Sequence, residues 1–450
     1  MEKKRSSFTG RVGFVLAAAG SAVGLGNLWR FPYLAAKYGG GIFLLVYIIL
    51  AITFGFTLMV TEIAIGRKTG LSCISAYKKL DKRFGFMGWL SALVPVIITP
   101  YYCVIGGWVI RYFAEFVSGH GKDLATSSAD FFSNFIGMKG GIVDNPMLWF
   151  IIFVALTSAV VIFGVEKGIE KVSKVMMPIL VILCVVIAVF ALTIDGALAG
   201  LKYYLLPDFS KFSSATVLGA LGQLFYSMSL AMGIMITYGS YMKKEDNIEK
   251  SVRQIEIFDT GIALLAGLII IPSVVAFNAG PGLMFITLPQ VFNAMGSIGG
   301  VVGTLFFLLV FFAAITSSIS LMETVVSMVR DKFHWNRVVT TVVVTLGTVA
   351  IGSLSVLGYG PLANFKIFGM QMLDFFDFIS NSVLMPIVAF LTCILIGHVV
   401  GTKVIADEVG LSAKFTGEKL HRVMIKWVAP ILLVVILVAQ VLSAFGIITI

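Results

Sequence analysis

The feature that most constrains this chain is a succession of about 11 apolar runs, each long enough to cross a bilayer, divided by charged loops along the whole length. A spanning helix needs ~20 mostly apolar residues. The runs lie at 11–36, 41–65, 87–117, 147–164 and 169–193, then at 216–241, 255–278, 300–329, 338–357, 368–397 and 425–446. With 58% of residues hydrophobic and 12% charged, a water-soluble core has no room for so much apolar surface, so the bilayer is the solvent. Lipid-exposed backbone must satisfy its own hydrogen bonds, and barrel-like alternation is absent, so the runs are helices. The expected fold class is an all-α integral membrane bundle, with residues 1–450 forming one transmembrane domain.

A net charge of +10 could suggest a nucleic-acid partner, but the cations alternate from loop to loop. One set holds Lys3, Lys4, Arg5 and Arg11, then Arg67 to Arg83, Lys167 to Lys174, Lys243 to Arg253, Arg330 to Arg337 and Lys403 to Lys426. The other set is sparse: Arg30, Lys37, Arg111, Lys122, Lys139, Lys202, Lys211 and Lys366. By the positive-inside rule the chain is a multi-pass protein of the cell (inner or plasma) membrane, its amino terminus cytoplasmic and its carboxyl terminus extracellular. The basic balance therefore reports topology, and no nucleic-acid partner is expected. Cys73 sits in a cytoplasmic loop and Cys103, Cys184 and Cys393 within spans, which gives no extracellular disulfide framework. The first run is long and glycine-rich with no small-residue cleavage site before Arg30, so it is not read as a leader.

Two runs are poor continuous helices. The first contains Gly20-Ser21-Ala22-Val23-Gly24-Leu25-Gly26-Asn27, and the sixth contains Ser227-Met228-Ser229-Leu230-Ala231-Met232-Gly233. Each places small or polar residues at mid-membrane, and glycine disfavours helix by ~1 kcal/mol relative to alanine. Interruptions at the first member of each group of five point to an inverted-repeat transporter with its binding site at the midplane. The repeats then run over 1–193 and 194–400, and residues 401–450 supply a cytoplasmic loop and an eleventh helix outside the repeat. A small-residue packing face is the alternative for Gly20 and Gly24. Asn27 is not explained by packing, because a buried amide needs partners. The stretches 118–146 and 194–215 are the largest external connections, and 279–299, with Gly280-Pro281-Gly282, reads as a hairpin lid. In the seventh run Asp259 is an intramembrane carboxylate, costly unless it serves a function. An acid at the cytoplasmic start of the helix, near Arg253, is the competing reading.

The string from Gly20 to Pro32, Gly-Ser-Ala-Val-Gly-Leu-Gly-Asn-Leu-Trp-Arg-Phe-Pro, closely resembles the first-helix signature of the neurotransmitter:sodium symporter family. Gly222-Gln223, Thr316-Ser317-Ser318, and Gly168 followed ten positions later by Pro178 spread the resemblance over most of the chain. It looks most like the bacterial eleven-span members with the LeuT fold, in which helices 1 and 6 are discontinuous. The resemblance implies two sodium ions, whose hard character calls for oxygen ligands alone. One would use the Ala22 carbonyl, Asn27, Ser227 and Asp259. The other would use the Gly20, Val23 and Ala313 carbonyls with the Thr316 and Ser317 hydroxyls. Asp259 falls on the family's sodium-binding Asn position when counted from Gly267, and one residue off when counted from Pro272. Some members bind chloride beside the first sodium and others carry a carboxylate there, so Asp259 implies no chloride requirement. Tyr47, Gln223 and Ser227 match other chloride-site positions and point the opposite way.

For substrate, the resemblance implies that the Leu25 and Gly26 amides with the Tyr102 hydroxyl hold a carboxylate. The carbonyls of Ala22, Tyr226 and Ser227 would hold an ammonium. Ile98, Tyr102, Tyr226, Ser229, Met232, Ser317, Leu321 and Ser320 would line a neutral side-chain cavity. Family members for amines carry Asp where this chain has Gly24, which favours an amino acid. Ala231 replaces a frequent Gly and implies a smaller cavity. Arg30 with Asp374, or Asp377 one turn deeper, would form the outer gate, and Arg5 with Asp331 and Tyr241 the inner one. Glu62 is expected to cap free amides of the broken sixth helix, and Gly168 and Pro178 to let the fifth helix loosen.

The expectation is a sodium-coupled symporter that imports neutral, hydrophobic or aromatic amino acids by alternating access, working as a monomer or weak homo-oligomer. An amine or another small zwitterion is the nearest alternative substrate. A substrate-gated ion channel is the alternative from another class, though no pore helix or charged ring is evident. An enzyme is not expected, because His120, His334, His398 and His421 are scattered near loops with no catalytic spacing.

Overall fold

The computed structural model describes residues 7–276 and 284–447, and among these there are helices and no β-strand. Eight helices are long and apolar enough to span a membrane, and the pair Arg11–Ala22 and Gly26–Lys37, bent by 51°, makes a ninth candidate. Two more apolar segments fall short of that length. Pro146–Ile162 has 17 residues, and the sixth segment is split into Ser214–Ser227 and Ile234–Gly239. Together they supply the eleven segments that the hydropathy pattern predicts, in the same order.

Local chemistry sets the ends. Asn145 accepts from the Met147 amide at 2.9 Å with Pro146 as the first helical residue, and Ser213 and Thr216 close a capping box at the start of the sixth segment. The seventh segment differs from expectation. It starts at Ile248 rather than near 255, with Asn247 Oδ1 accepting from the Lys250 amide at 2.8 Å. Its first two turns carry Glu249, Lys250 and Arg253, whose charges hide a helix from any hydropathy count. Asp259 therefore lies eleven residues inside, roughly 16 Å up the axis. It is fully buried and is not a helix-start acid.

Between Met228 and Gly233 the sixth segment has no helical hydrogen-bond ladder, and Ser229 (φ 53°), Ala231 (φ 59°) and Gly233 (φ 71°) adopt left-handed backbone. For a non-glycine residue that conformation costs about 1–3 kcal/mol unless its surroundings hold it. Glu62 Oε1 accepts from the Ala231 amide at 2.7 Å, and Ser229 Oγ donates to the Ser21 carbonyl at 3.1 Å. The second bond ties one break to the other. At the end away from the lysine- and arginine-rich loops, Trp108, Tyr112, Phe132 and Phe307 pack around Phe285. Residues 279–283 of the expected lid lie outside the described residues, and its remainder includes the helix Thr287–Ala294.

Candidate functional site: a carboxylate between two helix breaks

Four segments, the first, second, sixth and seventh, bring four polar side chains to one point. Asn27 Nδ2 donates to Asp259 Oδ1 at 2.8 Å and to the Asp259 carbonyl at 3.1 Å. Ser227 Oγ donates to the same Oδ1 at 2.8 Å, and the Tyr47 hydroxyl to Oδ2 at 3.2 Å. All four side chains are buried. Asn27 Oδ1 accepts from the Gly24 amide at 3.0 Å, so this side chain bridges a donor freed by the first break and the carboxylate. Of the four residues expected at the first cation site, three are in direct contact, and Ala22 lies beside them on the wall of the central pocket.

The second expected cluster is also assembled. Ser317 Oγ lies 3.3 Å from the carbonyls of both Gly20 and Val23 and 3.0 Å from that of Ser21. Thr316 Oγ1 lies 3.2 Å from the Ala313 carbonyl, and a Cβ on Gly20 would come within 3.3 Å of the Thr316 side chain. Every group is a neutral oxygen, a set suited to a hard monovalent cation. Met177, next to Pro178 of the fifth segment, closes this cluster on the side of Gly20.

Between the two clusters lies a cavity of about 20 Å³ lined by the substrate residues expected from sequence, except that Ser227 turns to Asp259 instead. Ser21, Gly24 and Ile234 complete the lining and were not anticipated there as side-chain contacts. The Leu25 amide donates to the Tyr102 hydroxyl at 3.3 Å. A Cβ on Gly24 would stand 2.7 Å from Ser317 Oγ and 2.8 Å from the Tyr102 hydroxyl, so only glycine leaves this corner open. Ser320, expected on the same wall, instead accepts from the Tyr238 hydroxyl at 2.7 Å.

Above the pocket is a larger cavity of about 510 Å³, bordered by Trp29, Arg30, Tyr101, Tyr226, Asp374 and Asp377. Here the structure corrects one expectation: Arg30 and Asp374 share the cavity but form no ion pair. Arg30 lies over the Tyr226 ring at 5.4 Å. Asp374 accepts a long bond from the Tyr359 hydroxyl at 3.4 Å, and Asp377 accepts from Tyr101 at 3.2 Å and Asn381 at 2.5 Å. The reason is competition, since neighbouring neutral donors and an aromatic face already satisfy each charged group.

At the lysine- and arginine-rich end, Arg5 lies outside the described residues, so the expected Arg5–Asp331 pair does too. Asp331 accepts from the Ser72 amide at 2.7 Å. Tyr241 donates to Glu323 at 2.8 Å, and Glu323, fully buried, pairs with Arg337, whose Nε also donates to the Val161 carbonyl at 2.8 Å. Glu170 accepts from the Thr9 amide at 2.9 Å and from the Thr9 hydroxyl, and pairs with Lys174 at 2.6 Å. Phe8 packs edge-on against Phe14, Tyr238 and Tyr241. Sequence reading missed Glu170 and Glu323. The signal that could have found them is an acid inside or bordering an apolar run, the same signal that singled out Asp259.

The sequence profile of the sodium:neurotransmitter symporter family matches residues 5–122 and 119–447. A Bacillus subtilis protein described as an uncharacterized sodium-dependent transporter, YhdH, is 37% identical over 415 residues, covering 88% of this chain and 88% of its own. A Haemophilus influenzae protein described in the same words is 32% identical over 453 residues, 97% of this chain and 98% of that one. Among solved structures, that of MhsT in complex with L-phenylalanine matches with a TM-score of 0.87 at 33% identity, covering 97% of this chain and 100% of the other.

Proposed function

This chain belongs to the sodium:neurotransmitter symporter family, a sodium-dependent transporter of the LeuT fold, and from that premise we propose that it imports neutral hydrophobic or aromatic amino acids with two sodium ions and without chloride. The observation that carries the reading is the contact of Asp259 with Asn27 and Ser227 across the two helix breaks. A buried carboxylate facing a cation site supplies the negative charge that a bound anion would otherwise provide. Asn27 Oδ1 keeps the Gly24 amide on one lone pair and offers the other to the cation, which completes the first cage with Ala22, Asn27, Ser227 and Asp259. Gly20, Val23, Ala313, Thr316 and Ser317 form the second.

The substrate carboxylate sits against the Leu25 and Gly26 amides and the Tyr102 hydroxyl, at the positive end of a half-helix. The ammonium meets the carbonyls of Ala22, Tyr226 and Ser227. Ile98, Met232 and Leu321 offer no charge to the side chain, and flexible Met232 yields the space that a cavity of about 20 Å³ lacks. The L-phenylalanine bound in the MhsT structure supports an amino acid, and the crowding at Gly24 disfavours an amine held by a carboxylate at that position. The basic end is cytoplasmic, consistent with the loop charges. Each positive charge moving inward gains ~2.3 kcal/mol per 100 mV of membrane potential, so two sodium ions can concentrate a neutral solute steeply.

The test is uptake of labelled L-phenylalanine into proteoliposomes under an inward sodium gradient, with chloride replaced by gluconate. Sodium-dependent uptake at undiminished rate is expected. Loss of most uptake in gluconate would overturn chloride independence, and uptake equal in potassium would overturn coupling. A thermal-shift screen of the twenty amino acids in sodium against potassium then identifies the substrate.

A further inference from the structure

Behind the outer vestibule lies a second, small polar cavity of about 20 Å³ between the first, sixth, tenth and eleventh segments. Arg30, Tyr226 and Asp377 border both spaces, so the Arg30 guanidinium stands in the partition between them. The far wall carries Asn381 and Gln440, whose Oδ1 and Oε1 are buried and have no hydrogen-bond partner among the described residues. Arg30 makes no hydrogen bond or ion pair among the described residues and lies only over the Tyr226 ring. Gly222 makes the approach possible: its ideal Cβ would stand 3.1 Å from Gln440 Nε2, so the glutamine amide lies almost on the backbone of the sixth segment.

Buried carbonyl oxygens left unbonded are costly, and a guanidinium offers five donors in a fixed fork. The cavity has room for one water-sized group, enough for an amino group of the fork after a short reorientation. We propose that Asn381 and Gln440 form a receptor for the Arg30 guanidinium, which leaves the vestibule and turns into this cavity as the outer gate closes, with Asp377 beside it in both positions. Gln440 is thus a positioning residue for transport. It places the eleventh helix, which lies outside the paired repeats, in the gating cycle. Its polar side chain then has a reason to sit in the helix Ala429–Ala444, apolar apart from it and Ser443.

The inference rests on the transport reading above, and the test separates the two. The four native cysteines are buried, so a cysteine placed at Leu373 on the vestibule wall reports outer closure through its labelling by a membrane-impermeant thiol reagent. In the parent, sodium with L-phenylalanine is expected to slow labelling. Gln440→Leu is expected to restore labelling about ten- to a hundredfold, the factor carried by one charge-assisted hydrogen bond. Gln440→Glu is expected to keep the protection. In an Arg30→Ala background Gln440→Leu is expected to add nothing, since the two residues act as one unit. Equal effects with and without Arg30, or no effect of Gln440→Leu in a parent that does close, would overturn the receptor. A parent whose labelling ignores sodium and phenylalanine, repeated with the probe at Ile105, would overturn the transport reading instead.

Discussion

The two ends of the molecule are closed by different means. At the lysine- and arginine-rich end, proposed above to face the cytoplasm, buried carboxylates join elements that the proposed cycle parts for inward release: Glu170 holds Thr9 at the start of the first helix, and Glu323 holds Tyr241 of the sixth segment and Arg337 of the ninth. A third set, Arg67 with Glu408 at 2.9 Å and Lys244 with Glu408 at 2.7 Å, pins the helix Lys403–Gly410 to the second segment. At the opposite end the charged groups share a cavity of about 510 Å³ without pairing: Asp374 and Asp377 are bonded to neutral neighbours, and Arg30 lies over the Tyr226 ring. Breaking a buried pair leaves an uncompensated charge, whereas rearranging partly exposed groups costs little. On the proposed orientation, the inner door is therefore latched and the outer one merely ajar.

The largest expected effect is at the inner latch. Glu323→Leu leaves Arg337 buried without its partner, a cost of about 3–5 kcal/mol, and thermal unfolding in detergent should drop sharply, with partial rescue in the Glu323→Leu, Arg337→Met double variant. No drop would mean that the pair contributes nothing to closure. Next, Glu170→Gln removes the Lys174 pair and weakens two bonds to Thr9, worth about 1–3 kcal/mol. Labelling from the cytoplasmic side of a cysteine at Met177, beside Gly20, should then accelerate roughly tenfold. Unchanged labelling would place the latch elsewhere. The smallest effect belongs to the outer end: Tyr359→Phe deletes a 3.4 Å bond, and the KM for uptake should change less than about twofold. A tenfold change there would erase the contrast between the doors.

Much of this was legible in the sequence, because the bilayer forces helices and because a glycine or polar run at mid-membrane has few structural excuses. Gly24 and Asn27 are cases in point: the crowding at the Gly24 Cβ and the bridging role of the Asn27 amide are consequences of residue type. The start of the seventh helix was not legible, since hydropathy cannot see two turns that carry Glu249, Lys250 and Arg253. Nor was the partner of Arg30. The family resemblance implies an ion pair there, but Tyr226, Tyr101, Asn381 and Tyr359 win those groups through local geometry that no spacing encodes. Glu323 and Gln440 show a further limit: their meaning depends on Arg337 and Arg30, brought beside them by the fold alone.

The carboxylate between the breaks is the centre of the account, and equilibrium binding of labelled L-phenylalanine to purified protein tests it most directly, in sodium and in potassium, for the parent and for Asp259→Ala. The parent should bind in sodium and not in potassium, without regard to chloride, and Asp259→Ala should lose sodium-dependent binding by at least about tenfold, the effect of one lost charge-assisted ligand. Sodium-dependent binding of unchanged affinity in Asp259→Ala would contradict the account.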